Sequence, residues 1–297
     1  MTCCSSMLER SPAPLTDTPD MSRRGRLELG FARAPDGRTY LDRQFASYPF
    51  HICRPFYPDF GPARGMATVY VQSCSGGLYS GERLAAEITL GRGARAQVTT
   101  QASTIVHKGT YGAAGQVCAI DAGPETLVEY LPDPVILFPA ARLESRLRVA
   151  LDATASAVLF DSMLAHDFRG KGDGFDRFAN EIAIVAPDGE PLVIDRFRIT
   201  GDDFRAGGIG RMGGYACLGN VIAVAPGVET ATLIDAARAA TMGLGEGSVG
   251  VSRLPSLPGF SARILARDAV AMKNAMLRLW EVSRTLIAGA PPRPRRK

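Results

Sequence analysis

Two aspartates in the chain follow directly on apolar runs that are typical of buried strands. Asp161 follows Ala-Val-Leu-Phe, and Asp195 follows Leu-Val-Ile. A buried carboxylate is destabilising unless it meets arginine, backbone N–H groups or a metal ion. One interpretation is structural, with Asp195 paired to Arg196 or Arg198. Asp161 would then cap the following turn. The other interpretation is a polar, metal-permissive passage lined by both carboxylates.

Histidine and cysteine, the usual ligands of transition metals, are sparse. The histidines stand at positions 51, 107 and 166, and the six cysteines include no C-x-x-C pair. A hydrolase triad or a closed zinc site therefore has few possible constructions. His51 and Cys53 would share one face of a strand and could hold a soft divalent metal, although ordinary packing is the simpler interpretation. His166 opens a segment rich in glycine and charge, which we expect to be an exposed loop.

Residues 208–213 spell G-x-G-x-x-G, the spacing of a dinucleotide-binding loop. That loop must follow an apolar strand and open a helix. Here the motif follows Gly-Asp-Asp-Phe and leads into the strand-like run 221–224. We therefore expect a mobile glycine-rich loop rather than a nucleotide site.

The length and the net charge of the chain limit which class of protein it can be. The chain has 297 residues, 46% of them hydrophobic, and a net charge of +4, which is enough for a sizeable core and too mildly basic to indicate nucleic-acid binding. We expect residues 1–24 to be a disordered lead, 25–289 a single β-rich domain and 290–297 a solvated basic tail. The absence of a long apolar segment predicts a cytoplasmic protein without a membrane partner.

Short β-type runs broken by Gly, Pro and Asp dominate the first three quarters of the chain. The tetrapeptide Ala-Pro-Asp-Gly, at 34–37 and again at 186–189, predicts two hairpins, because proline pre-sets one turn dihedral and glycine accepts a positive φ. Further strands are predicted at 66–74, 83–90, 94–106, 116–120, 126–131, 135–138, 145–151 and 155–161.

This spacing predicts an all-β fold with a solenoid-like or sandwich-like body, and we expect successive strands to pair mostly locally. Two helices are predicted in the C-terminal half, at 229–242 and at 269–288, the second capped by Asp268 and ended by Gly289. An apolar stripe that includes Trp280 is expected to pack on the β-body. The alternative is a stripe that docks into a partner's groove.

Several sequence blocks resemble the UreD family of urease accessory proteins, also called UreH. They are RPFYP at 54–58, SGGLYSGERL at 75–84, GARAQVTTQAST at 93–104 and VEYLPDPVILF at 128–138. The similarity continues through LFD at 159–161, DRF at 195–197 and the Leu-Trp pair at 279–280. The blocks occur in the family's order over about residues 26–288, so their combination is more specific than any one of them.

The resemblance implies a β-rich body without enzymatic activity that assembles with UreF and the GTPase UreG on apo-urease. Nickel would come from UreG and be held only transiently, with no tightly bound cofactor. At positions that match the family pattern, Ser103, Asp161 and Asp195 would line a polar path for nickel or the surface that faces urease.

The chain also departs from the family pattern. Glu82 stands where the family has aspartate, and 165–175 is a longer loop than usual. The glycines of the second block are expected to shape a turn. Two rival hypotheses remain: a β-helical hydrolase with Asp161 and Asp195 as paired carboxylates, and a stand-alone metal-binding protein.

Overall fold

A computed structural model describes residues 24–168, 170–206, 208, 212–244 and 247–295. The strands are β1 (Arg24–Arg33), β2 (Thr39–Ala46), β3 (Phe50–Ile52), β4 (Ala67–Ser73), β5 (Arg83–Leu90), β6 (Arg95–Thr100), β7 (Thr104–Val106), β8 (Ala114–Ala122), β9 (Leu127–Leu131), β10 (Val135–Leu137), β11 (Arg142–Leu151), β12 (Ser156–Ala165), β13 (Arg177–Val185), β14 (Pro191–Thr200), β15 (Cys217–Val224), β16 (Gly247–Arg253) and β17 (Gly259–Ala266). The α-helices are α1 (Gly201–Arg205), α2 (Thr230–Thr241) and α3 (Ala269–Ala288).

The strands form two sheets, and the chain winds between them. The seven-stranded sheet has the order β14-β13-β11-β8-β5-β1-β2. The ten-stranded sheet has the order β16-β17-β15-β12-β9-β6-β4-β3, with β10 beside β12 and β7 beside β10. From β4 to β13 the chain alternates between the sheets, and each strand pairs in parallel with the equivalent strand of the next turn. The expected solenoid-like, all-β body is confirmed.

Pairing in this region is not local, so that expectation was wrong. Val69 pairs with Val98, and Val98 pairs with Tyr130, one turn of the solenoid further along the chain. Short strands and turn residues specify where the chain bends, but they do not specify the distant partner of each strand. The strand predicted at 94–106 is also divided, because β6 ends at Thr100 and β7 begins at Thr104.

Both hairpins predicted from Ala-Pro-Asp-Gly are confirmed. β1 pairs with β2, and β13 pairs with β14, in antiparallel ladders. Gly37 and Gly189 have φ of 86° and 94°, a conformation that glycine adopts without a steric penalty. Each glycine N–H donates to the carbonyl of the alanine three residues earlier, at 2.9 Å.

Helices cover one outer face of the solenoid. Apolar side chains from both sheets meet between the sheets, and a second cluster joins α2 and α3 to the outer face of the ten-stranded sheet. The predicted limits of α3 are confirmed: Asp268 accepts a hydrogen bond from the Ala271 N–H, and Gly289 ends the helix with φ of 74°. Trp280 is buried in this second cluster, which confirms packing on the β-body.

Three elements were not predicted, namely α1, β16 and β17. The burial pattern of β16 shows exposed and half-buried residues only, so its sequence lacks a strong apolar signal.

The prediction of a solvated C-terminal tail was wrong at Arg295, whose side chain is only 6% exposed. The expected disordered lead lies outside the described residues except for Arg24, which begins β1. In the described part of the chain, no helix has the length and apolarity needed to cross a membrane.

Candidate functional site

A cavity of about 130 Å³ lies between the two sheets. Its polar lining includes residues of both sheets, namely Gln116, Ser145 and Asn180 from the seven-stranded sheet and Tyr130, Asp161 and Ser162 from the ten-stranded sheet. Apolar side chains such as Ile88 and Val98 complete the wall. The cavity therefore combines an apolar shell with a few oxygen and amide groups, as small-ligand sites commonly do.

Asp161 lies in the middle of β12, not at its end, so the expected turn cap was wrong. Its carboxylate accepts a hydrogen bond of 2.7 Å from the Asn180 side-chain amide of the opposite sheet. Burial, and then the negative charge of Asp195, raise the pKa of the Asp161 carboxyl from 3.8 to about 6, while Arg263 and Asn180 act in the opposite direction. Asp161 is therefore a carboxylate whose charge is only partly compensated.

Asp195 does form a salt bridge, but with a different arginine from those predicted. Arg263 Nη2 is 2.8 Å from each Asp195 carboxylate oxygen, and the Asn220 side-chain amide donates to Oδ2 at 2.6 Å. The predicted partner Arg196 binds Glu181 instead. Arg263 belongs to β17, a strand that the sequence analysis missed, so this pairing could not be foreseen.

Strand register explains why these groups meet. Asp161 pairs with Asn220, and Asn220 pairs with Arg263, so the three stand side by side across neighbouring strands of the ten-stranded sheet. From there they reach Asn180 and Asp195 on the other sheet. We call these five residues the interior polar network. It joins the two sheets and brings Asp161 and Asp195 into electrostatic contact.

The structure does not bring Ser103 into this network. Ser103 is half-buried in the segment 101–103 between β6 and β7, and its neighbours Thr100 and Thr104 line the cavity while Ser103 does not. Sequence reasoning instead missed Ser162. This residue is 6% exposed, lines the cavity and has a hydroxyl without a hydrogen-bond partner among the described residues.

The other candidate metal ligands lie apart. His51 Nδ1 is 2.8 Å from Gln72 Oε1 on an exposed edge, and His166 is exposed as expected. Within the described ranges, no three His, Cys, Asp or Glu side chains gather as a metal site would require. In the G-x-G-x-x-G motif, positions 209–211 lie outside the described residues, and the strand that follows is β15.

The glycine block at 75–84 forms a turn, as expected. Gly77 has φ of 135°, and a Cβ at this position would lie 2.4 Å from the Ile105 carbonyl oxygen, so only glycine fits. Gly81 also has a positive φ, of 78°. Glu82 accepts a hydrogen bond from the Tyr79 N–H at 3.0 Å, which shows that glutamate at this position supports the turn.

Comparison with known proteins identifies the family. The profile of the UreD urease accessory protein family matches residues 23–297. The chain belongs to the UreD family. The protein named "Urease accessory protein UreD 1" of Pseudomonas syringae pv. syringae is 36% identical over 269 residues, which is 91% of this chain and 94% of the relative.

Similar relatives come from other bacteria and from an archaeal source. The "Urease accessory protein UreD 1" of Methylorubrum extorquens is 36% identical over 98% of both chains. The "Urease accessory protein UreD" of Haloarcula marismortui is 32% identical over 92% of this chain and 90% of the relative. The UreD family match therefore spans both sheets, the interior polar network and α3.

The raised pKa of Asp161 predicts a pH-dependent stability for this UreD-family chain. Above pH 6 the charged carboxylate destabilises the fold, and the penalty disappears as the pH falls from about 6 towards 3.8 because both folded and unfolded states become protonated. Asp161→Asn is therefore expected to raise the free energy of unfolding by about 2 kcal/mol at neutral pH. Urea denaturation across this pH range would test it, and an advantage that does not change with pH would contradict it.

Proposed function

We propose that this chain is a non-catalytic scaffold of urease maturation that acts in the cytoplasm. In this proposal it binds apo-urease together with UreF and the GTPase UreG and assists nickel insertion. The observation that carries the proposal is the family match over residues 23–297, together with relatives named as urease accessory proteins. A two-sheet body with one helix-covered face supports a scaffold, since it offers large and rigid surfaces to partners.

We further propose that nickel crosses the cavity between the sheets. Asp161 offers a carboxylate at the wall of this cavity. Oxygen ligands hold nickel less firmly than imidazole or thiolate, so such a wall favours release onward. Cys118 also lines the cavity, but burial raises the pKa of its thiol to about 12, so it stays protonated and does not trap the ion.

The three residues predicted from the family pattern take different parts in this passage. Asp161 would be the transient ligand, because its carboxylate accepts a hydrogen bond from just one side chain, the Asn180 amide, among the described residues. Asp195 would act through Arg263, whose charge it balances beside Asp161. Ser103 would lie at the edge of the passage, between the cavity-lining residues Thr100 and Thr104.

The geometry favours this proposal over the two rival hypotheses. A hydrolase with paired carboxylates needs both Asp161 and Asp195 available to the substrate, whereas both Asp195 oxygens accept hydrogen bonds from Arg263. A stand-alone metal-binding protein needs a dense ligand cluster, and the described residues contain no group of three candidate side chains. A passage with few and weak ligands fits the observed arrangement better.

Asp161→Asn is expected to lower the nickel content of urease several-fold when the variant is co-expressed with the urease genes. The amide keeps the shape and the Asn180 contact but removes the charge that attracts the cation. The measurement is nickel per urease after purification, with pull-down of UreF and apo-urease from the same cells. Asp235→Asn, which changes a 77% exposed aspartate on α2, is the matched control.

The possible outcomes test the nickel-passage proposal and the scaffold proposal separately. Low nickel with normal pull-down of both partners supports the passage through Asp161. Normal nickel loading rules the passage out, and joint loss of partners and nickel assigns Asp161 a structural role. If the wild-type chain itself retains neither UreF nor apo-urease, the scaffold proposal fails.

A further inference from the structure

The ten-stranded sheet has an opening beside the cavity. β9 pairs with Ser156–Leu159 of β12, and β10 pairs with Met163–Ala165, so residues 160–162 have no strand partner on that side. The preceding turn of the solenoid has a break at the same place, because β6 ends at Thr100 and β7 begins at Thr104. We call this gap, bordered by 100–104, 131–135 and 160–162, the window. Thr100, Asp133 and Ser162 line the cavity, so the cavity reaches the window.

The C-terminal tail lies against this window. Arg295 Nη1 donates hydrogen bonds to Thr99 Oγ1 at 2.7 Å and to the Leu131 carbonyl at 2.8 Å, and Nη2 lies 3.4 Å from Asp133 Oδ1. Thr99 and Asp133 are themselves residues of the cavity wall. The Arg295 side chain is 6% exposed, so the guanidinium is buried against this part of the wall.

The groups around the guanidinium form a site for a cation. A hydroxyl, a carbonyl and a carboxylate oxygen converge on it, and these are the ligand types that bind hard divalent cations. A fixed positive charge in this position repels any metal ion that approaches the window. With the tail docked, the guanidinium therefore opposes the passage of a cation through the window.

One hydrogen-bond donor of the docked Arg295 is unsatisfied. Arg295 Nε is buried and has no acceptor among the described residues, which weakens the docked state. Burial lowers the pKa of the Arg295 guanidinium, and the attraction of Tyr70 and Glu129 only partly opposes this. By contrast, the preceding part of the tail is held at Asp59, which accepts from the Arg293 N–H at 3.2 Å.

We propose that the C-terminal tail is a displaceable plug, whose Arg295 guanidinium occupies the oxygen site of Thr99, Leu131 and Asp133 that a divalent cation meets on crossing the window. The identity of the cation as nickel rests on the proposed function, whereas the closure does not. Displacement of the tail exposes the oxygen site and removes the repelling charge in one step.

Thiol labelling tests the closure without urease. Methyl methanethiosulfonate transfers a methylthio group to a cysteine thiolate and releases methanesulfinate, and peptide mass spectrometry resolves Cys118 from the other cysteines. Cys118 lines the cavity, whereas Cys217 is buried in the cluster under α3 and reports on general loosening of the fold. Burial raises the pKa of both thiols, to about 12 and about 11, so the two are compared at the same alkaline pH.

Arg295→Ala, and a chain that ends at Gly289, are each expected to speed the labelling of Cys118 by roughly tenfold while Cys217 stays unchanged. Arg278→Ala, which removes an exposed arginine from α3, is the control and should change neither rate. An unchanged Cys118 rate in both tail variants overturns the proposal. Parallel increases at Cys118 and Cys217 in both variants overturn it too, because they show a loosened fold.

Nickel alone tests the cation site. In Arg295→Ala, Ni²⁺ is expected to slow Cys118 labelling, because the ion occupies the vacated oxygens at the window, and Asp133→Asn in the same background should abolish the slowing. The wild-type chain, with its window closed, should show no effect of Ni²⁺. Equal slowing with and without Asp133 would overturn the site, and neither result depends on whether the chain binds urease.

Discussion

Arg284→Met is expected to lower the free energy of unfolding by about 3–5 kcal/mol, because it strands two buried carboxylates. The Arg284 side chain is fully buried on α3, and it binds Glu129 through two nitrogens and Asp59 through a third, at 2.8 Å for Asp59. Glu129 is also fully buried, in the middle of β9. Without the guanidinium, Glu129 must ionise in an apolar wall or take up a proton.

Electrostatics show how strongly the arginine is held. Burial alone would lower the pKa of Arg284, but attraction to Glu129 and Asp59 and the hydrogen bonds to both raise it above its usual range. The three charges join α3, a central strand and the loop after β3, segments that are 155 and 225 positions apart in sequence. Loss of the arginine therefore loosens the helix that covers the ten-stranded sheet.

Urea denaturation of the isolated protein measures this effect. Arg278→Met, at an exposed position of the same helix, is the control and should change the free energy of unfolding by less than about 0.5 kcal/mol. A loss below about 1 kcal/mol in Arg284→Met would contradict the prediction. Adding Glu129→Gln to Arg284→Met should recover part of the loss, since one buried charge is then removed.

Local signals in the sequence were sufficient for the turns and for the helix limits. Gly37 and Gly189 mark hairpins, and Asp268 and Gly289 mark the ends of α3, because each acts on the backbone within a few residues. The partner of each solenoid strand was not accessible in this way. The relevant contacts join residues about one turn apart, and any β-type run of suitable length satisfies the same local pattern.

The same limit applies to the candidate site. The apolar runs before Asp161 and Asp195 indicated that each buried carboxylate needs a compensating partner. They did not indicate which residues those partners are. Arg263 is 68 positions from Asp195 and lies on β17, whose alternation of buried and half-buried residues is a strand signal that the sequence analysis missed. Arg284 was assigned no role, although a charged residue one turn after Trp280 in an apolar stripe was a signal of a buried ion pair.

Trp280→Ala is expected to lower the free energy of unfolding by about 3–5 kcal/mol, since it leaves a large cavity in the second apolar cluster. Trp280 is 3% exposed and packs among residues of α2, β15 and β17. Its Nε1 has no acceptor among the described residues, so the ring contributes through packing and not through a hydrogen bond. Trp280→Phe should accordingly lose less, about 1.5 kcal/mol.

Urea denaturation of Trp280→Ala measures this loss. Val270→Ala, which truncates a 69% exposed residue of the same helix, is the control. The comparison distinguishes a packing role of Trp280 from a partner-docking role. A Trp280→Ala chain as stable as wild type that no longer retains UreF would instead support the groove-docking alternative. The Arg284 guanidinium lies 5.8 Å from the Trp280 ring, so the two sites are coupled. Combining Trp280→Ala with Arg284→Met should therefore cost less than the sum of the two, because either change alone already frees the same part of α3 from the sheet.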